Sequence, residues 1–318
     1  MKRISLSTLQ SSVQDSSAFQ QLSDYHKLTK CFLSFLAASK PTRIVSPSQN
    51  NYIFFQYGST FSHRITRPLN TNLYVESDTE FSAMFSQFLS LLQDIKRSQQ
   101  AVLKSKGCQQ LINANVIGKI VYTVQQSIGS IGDSFDNPNQ SRKRIGQLFE
   151  NLVKLIIQEL GLHCEPRTIN IPIPGYDGYT MSYELDVVFS RNKAIIATEN
   201  QYIHPSEIVG SVKTTSKDRI DKVFLDKYLL TKLLGREIPV IAVFLHDVQR
   251  AQRGDSIFGI NSTFKTNHFL GYTVALKKLD GVYYVDPRPE MLTNQRLREH
   301  IRDFQQFLVA DLWSLSGP

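Results

Sequence analysis

The sequence predicts an α/β fold, a mixed central sheet flanked by helices, preceded by an N-terminal mixed α/β region. Three observations predict it. Beyond residue 140 the pattern runs helix, several strands, helix, strand, the order of a layered α/β protein. One of those strands, PVIAVFL at 239–245, is almost wholly apolar, as a strand covered on both faces must be. A chain of 318 residues with 41% apolar content can fill two cores, so two structural units are expected.

In order, residues 17–39 carry helical periodicity, while NYIFFQY at 51–57 and the segment 72–75 read as short strands between Pro, Ser and Asn clusters. Helices are expected over 79–104 and 108–128. GSIGDSFDNPN at 129–139 concentrates turn formers and is read as a linker, dividing the chain into 1–135 and 136–318. The segment 142–160 places Ile145, Leu148, Phe149, Leu152, Leu155, Ile156 and Leu160 at helical intervals, with Gly161 as the stop. Strands follow at 168–173, 182–189, 194–198 and 208–214. A helix over 217–234 is expected, opened by Ser216 and closed by Gly235. Strands at 272–277 and 282–285 and a closing helix at 294–315 complete the reading.

Composition narrows the function. A formal charge of +8 favours a polyanionic partner such as nucleic acid, because basic side chains on phosphates release condensed counterions. No apolar run approaches the ~20 residues of a membrane span. The start MKRISLSTLQSS lacks a signal-peptide core, so a cytoplasmic protein without membrane association is expected. Cys31, Cys108 and Cys164 are scattered and read as free thiols. The seven histidines show no metal-site spacing, and no Gly-rich phosphate loop is present, so no nucleotide cofactor is expected.

Hydrolysis of a phosphodiester calls for carboxylates to hold a divalent metal and a cation to stabilise developing charge. Strand alternation puts Glu184 and Asp186 on one face, and Ser211 with Lys213 on one face of the strand at 208–214. The block VKTTSKDR at 212–219 is more specific. With Arg142, Lys143, Arg144, Gly146, Phe149 and Glu150 on the preceding helix, it resembles the PD-(D/E)XK restriction endonucleases, in particular the branch that cleaves CCGG and gapped CC/GG sites. The likeness covers residues 140 to 247 and leaves the first 130 out.

That resemblance implies a Mg²⁺-dependent type II site-specific deoxyribonuclease acting on double-stranded DNA as a homodimer and leaving 5′-phosphates, within a restriction–modification context. It implies Asp186 as the central metal ligand and Lys213 as the catalytic lysine. Ser211 stands where the wider superfamily carries an acid. In the CCGG branch that acid comes from the next helix, which selects Asp226, 13 residues past Lys213, as second ligand, with Glu150 as an auxiliary acid. Glu184, Glu199 and Glu207 stay open as rivals for the second ligand. Lys217, Asp218 and Arg219 are the candidate base readers, since a guanidinium matches guanine O6/N7 and a carboxylate accepts from cytosine N4. Arg142 and Arg144 are candidate DNA contacts, and the N-terminal region is assigned DNA contacts or dimerisation. Two alternatives remain: a structure-specific or modification-dependent nuclease of the same fold, and a non-catalytic DNA-binding protein, which Ser211 would suit.

Overall fold

The computed structural model describes residues 4–58, 64–192 and 202–317. They form two compact units interleaved along the chain. One takes Met1–Leu91, Lys106–Leu152 and Asp247–Thr263; the other takes Leu92–Ser105, Val153–His246 and Phe264–Pro318. The expected division at 135/136 therefore falls inside the first unit. Among the described residues, no helix is long and apolar enough to cross a membrane.

In the first unit, helices α1 (Leu6–Gln14) and α2 (Leu22–Ala38) accompany an antiparallel sheet of β1 (Thr42–Val45), β2 (Tyr52–Gln56) and β3 (Leu69–Asn70). The strand expected at 72–75 is instead a turn, in which the Asn70 carbonyl accepts the N–H groups of Leu73 and Tyr74 at 3.0 and 2.8 Å. Helix α3 (Asp78–Ser98), which passes into the second unit at Leu92, and the short α4 (Lys106–Asn113) precede α5 (Val116–Gly132). Every residue of α5 except Lys119 is buried, which requires partners for its polar groups. Gln125 Nε2 donates to the Ile145 carbonyl at 3.0 Å and Gln126 Nε2 to the Pro68 carbonyl at 2.9 Å.

The linker expected over 129–139 is mostly helix. Its first four residues end α5, and Pro138 opens α6 (Pro138–Glu159). Gly129 and Gly132 serve close packing rather than a turn: a Cβ would fall 2.7 Å from the Arg67 side chain at one and 2.6 Å from Ile145 at the other. The hairpin of β8 (Val248–Arg253) and β9 (Ser256–Ser262) completes this unit, packing Val248 and Ile260 with Tyr52, Phe54 and Ile65.

The second unit holds a six-stranded mixed sheet. Its strands are β4 (His163–Pro172), β5 (Thr180–Ser190), β6 (Ile208–Thr215), β7 (Val240–His246), β10 (Gly281–Tyr284) and β11 (Ile301–Asp303), in spatial order β11-β10-β7-β6-β5-β4. β4, β5 and β6 are antiparallel neighbours; β6, β7, β10 and β11 run parallel. Helix α7 (Ile220–Leu234) makes the crossover from β6 to β7, and Gly235, at φ +65°, ends it. Val223, Phe224 and Leu230 of α7 pack on Val209, Val240 and Ala242 of the sheet.

Two expectations are corrected here. Residues 272–277 were expected as a strand, but helix α8 (Thr266–Ala275) occupies most of them, because Phe269 and Tyr272, three apart, both meet Phe224, at ring distances of 5.7 and 5.8 Å. The closing helix begins only after β11, where Asp303 accepts the Gln306 N–H at 2.7 Å as an N-cap. The strand expected at 194–198 lies outside the described residues.

Candidate active site

β5 and β6 cross closely. Val187 pairs with Gly210, where a Cβ would meet Val187 Cγ2 at 2.6 Å. This crossing brings Asp186 of β5 against the following residues of β6. Asp186 Oδ2 accepts Lys213 Nζ at 2.5 Å, the Val212 N–H at 2.8 Å and the Ser211 hydroxyl at 3.3 Å. Ser211, standing where an acid was expected, thus braces Asp186 with a hydroxyl.

The alternation that puts Glu184 and Asp186 on one face holds, since both line one cavity while Tyr183 and Leu185 enter the core, and it breaks beyond Asp186. Between Leu185 and Val188 on β5 there are three steps, yet their partners on β4, Arg167 and Glu165, are two apart. This is a β-bulge. Because of it Tyr183, Leu185 and Val188 all enter one core with Val209, while Glu184 is exposed. Asp186 sits in the bulge, aimed at β6.

Asp226 of α7 lines the same cavity as Asp186 and Lys213, together with Glu184, Arg219 and Lys222. Burial holds the Asp226 carboxyl above the usual aspartate range; the Asp186 charge adds to this, and Lys222 and Lys213 oppose it. Lys222 Nζ is 4.0 Å from Asp226 Oδ2. The cavity therefore collects three carboxylates, of which Asp186 and Asp226 repel one another, and three cationic side chains.

The basic turn at the end of β6 departs from expectation. Helix α7 starts at Ile220 rather than Lys217, because Asp218 adopts φ +51° and breaks the helical run. The Ser216 carbonyl accepts the N–H groups of Arg219 and Ile220, both at 3.3 Å, but its buried hydroxyl caps nothing; Arg219 holds the N-cap position. Lys217, Asp218 and Arg219 are all exposed, and Lys217 lies 4.0 Å from Asp218.

Other candidates have different surroundings. The Glu207 carboxylate, 1% exposed, accepts Arg167 Nη1 and Nη2 at 2.8 and 2.7 Å and the His204 N–H at 2.7 Å, so both oxygens are engaged. Burial alone would raise its pKa; the hydrogen bonds from Arg167 and His204 and the Arg167 charge hold it below the usual glutamate range. Glu199 lies outside the described residues. Glu150 is carried by α6 in the first unit. In that unit Arg144 donates to the Val13 and Asp15 carbonyls at 2.6 and 2.7 Å, which ties its guanidinium to the backbone, while Arg142 is exposed. Among the described residues no group of three or more His, Cys, Asp or Glu side chains gathers as a metal cluster.

Sequence reasoning passed over Lys227. It is 4% exposed, and its Nζ donates to the Lys278 carbonyl at 2.5 Å and to Asp280 Oδ2 at 2.7 Å; Asp280 also accepts the Val240 N–H at 2.7 Å. This clamp fixes α7, and so Asp226, to the sheet. Its signal was the spacing Val223, Lys227, Leu230, which places the lysine on the buried helical face.

No protein-family model and no curated protein sequence matches the chain. Among solved structures, the type IIP restriction endonuclease Kpn2I is similar, with a TM-score of 0.70 and 18% identity, covering 98% of this chain and 97% of that one. The chain shares the fold of that enzyme across nearly its whole length.

Proposed function

We propose that the protein is a type II restriction endonuclease that hydrolyses both strands of DNA at a short site containing CC/GG steps. The observation that carries this reading is the cavity in which Asp186, Lys213 and Asp226 converge on a fold shared with such an enzyme. The residues fit a divalent cation. Among the described residues the hydrogen bonds to Asp186 fall on Oδ2, and Asp186 and Asp226 would hold the cation, whose charge would offset the burial and the Asp186 repulsion that raise Asp226. Hard oxygen donors of this kind suit Mg²⁺. When bound, Mg²⁺ neutralises phosphate charge and acidifies an attacking water.

The chain's own groups do the rest. Asp186 holds Lys213 in place, and the Lys213 ammonium meets the charge that develops on the phosphate as the nucleophile attacks. Ser211 and the Val212 N–H keep the carboxylate from rotating. Lys217, Asp218 and Arg219 read G·C pairs from the exposed turn, and Arg142 holds a phosphate. One chain offers one such cavity, so cutting both strands of a palindrome is most simply the work of a two-fold dimer.

Digestion of unmethylated phage-sized DNA with Mg²⁺, wild type beside Lys213→Ala, followed by sequencing of fragment ends, tests this. Discrete fragments sharing one end sequence and a 5′-phosphate, absent with the variant, are the expected result. Ser211 in place of an acid favours a second reading, a DNA-binding protein without catalysis; tight binding with intact DNA in Mg²⁺ would decide for it.

A further inference from the structure

The β8–β9 ribbon has two unlike faces. Register places Val248 opposite Ser262 and Arg250 opposite Ile260; on this face Val248 and Ile260 anchor to the core of β2. The anchorage is polar as well, since Ser48 Oγ accepts the Ile260 N–H at 2.7 Å and donates to its carbonyl at 3.3 Å. The other face pairs Gln249 with Asn261 and Ala251 with Gly259; the register shifts between Ala251 and Arg253, and the Arg253 side chain lies on this face against Gly259 and Asn261.

The outward face is built around one arginine. A Cβ at Gly259 would collide with the Ala251 carbonyl oxygen and with Arg253 Cγ, so glycine here both admits the close backbone approach and leaves a track along which the Arg253 stem crosses the neighbouring strand. At its end the Arg253 guanidinium donates to Asn261 Oδ1. Arg253 and Asn261 are exposed, and Asp255 lies in the turn between the two strands. A surface strand pair serving only as cover has no need of a guanidinium held at a fixed angle over a glycine.

We propose that this ribbon is a second DNA-reading element, which enters the major groove and places Arg253 against a guanine edge. The proposal rests on the reading of the chain as a DNA endonuclease. A major groove ~12 Å wide admits a two-stranded ribbon, and a guanidinium can bond guanine O6 and N7 together. Asn261 holds the fork before binding, which lowers the entropy lost on contact. Gln249, beside Asn261, offers a second amide able to pair with a base edge.

The experiment compares wild type, Arg253→Lys, Arg253→Ala and Asn261→Ala, all checked for equal thermal melting. It uses selection from a randomised DNA library in Ca²⁺ together with the salt dependence of binding. Wild-type selection of a defined site is the control for the endonuclease reading. Arg253→Lys is expected to lose about 10- to 100-fold discrimination at one base pair and its symmetry mate while keeping the wild-type salt slope. Asn261→Ala is expected to relax the same position by a smaller factor. Arg253→Ala should add a fall of about one in the salt slope. A selected site identical in all four proteins overturns the ribbon proposal while leaving the endonuclease reading intact. So does a change in Arg253→Ala confined to the salt slope, which would mark a phosphate contact only. A wild type that selects no DNA at all overturns both.

Discussion

Lys213 Nζ and Asp186 Oδ2, from adjacent antiparallel strands, lie 2.5 Å apart, and the same Asp186 oxygen accepts the Val212 N–H at 2.8 Å. The pair is thus fixed by backbone as well as by charge.

Removing either member should therefore disable chemistry without unseating DNA. Lys213→Ala and Asp186→Asn are each expected to slow single-turnover cleavage by roughly 10²- to 10³-fold or more. Gel-shift affinity in Ca²⁺ should stay within a few fold of wild type. A variant that cuts at the wild-type rate would exclude that residue from catalysis.

Asp226 carries a cost that can be read as stability. Its folded pKa is raised, chiefly by burial, so its contribution is fully present below the ordinary value near 3.8 and lost as pH rises through the folded value. Asp226→Asn should therefore melt higher than wild type at pH 7, by on the order of 1 °C, and the difference should vanish at pH 3. The same variant should lose most Mg²⁺-dependent cleavage. Greater stability with less activity at one residue is the signature of a carboxylate kept for function.

Glu207 has the opposite sign. Its folded pKa is lowered, so its stabilisation is present above the ordinary value near 4.5 and is lost as pH falls through the folded value. Glu207→Gln leaves the half-buried Arg167 with Glu165 as its remaining counter-charge, a loss of about 1–3 kcal/mol in denaturant titration. The acid limb of the stability curve should flatten, while the Mg²⁺ concentration for half-maximal cleavage should not move, separating a structural acid from a metal ligand.

Two helical glycines, Gly132 at the end of α5 and Gly146 inside α6, should respond in opposite directions. Gly132→Val drives a side chain into Ile145 and is expected to cost about 1–3 kcal/mol. Gly146→Ala, in α6 with no atom within 4 Å of its added Cβ, should gain up to about 1 kcal/mol. Urea midpoints measure both.

These glycines also show where sequence reading stopped. The apolar run of β7 and the three- and four-residue spacing of α6 report burial directly, so both elements were legible, as was the mixed sheet they belong to. Gly129 and Gly132 read as a turn because a glycine needed for close packing and one needed for a positive φ are the same letter. The proximity of Asp186 to Lys213 followed from two adjacent strands. The bulge beneath Asp186 did not, since it is a mismatch in length between β4 and β5 that neither strand expresses alone. Likewise β11 depends on pairing with β10, a long-range partner that local helical preference around 294–315 conceals.

The outermost strand β4 carries a further consequence. Its outer rim is interrupted by Pro166 and Pro172, which have no N–H to offer, and by the register shift beside Pro166. At the opposite rim β11 has only three residues. Neither rim of the six-stranded sheet presents an unbroken template for a neighbouring strand, so ladder pairing of a second copy along this sheet is opposed at both ends, and the same interruptions guard a crowded solution of the protein against fibrous growth.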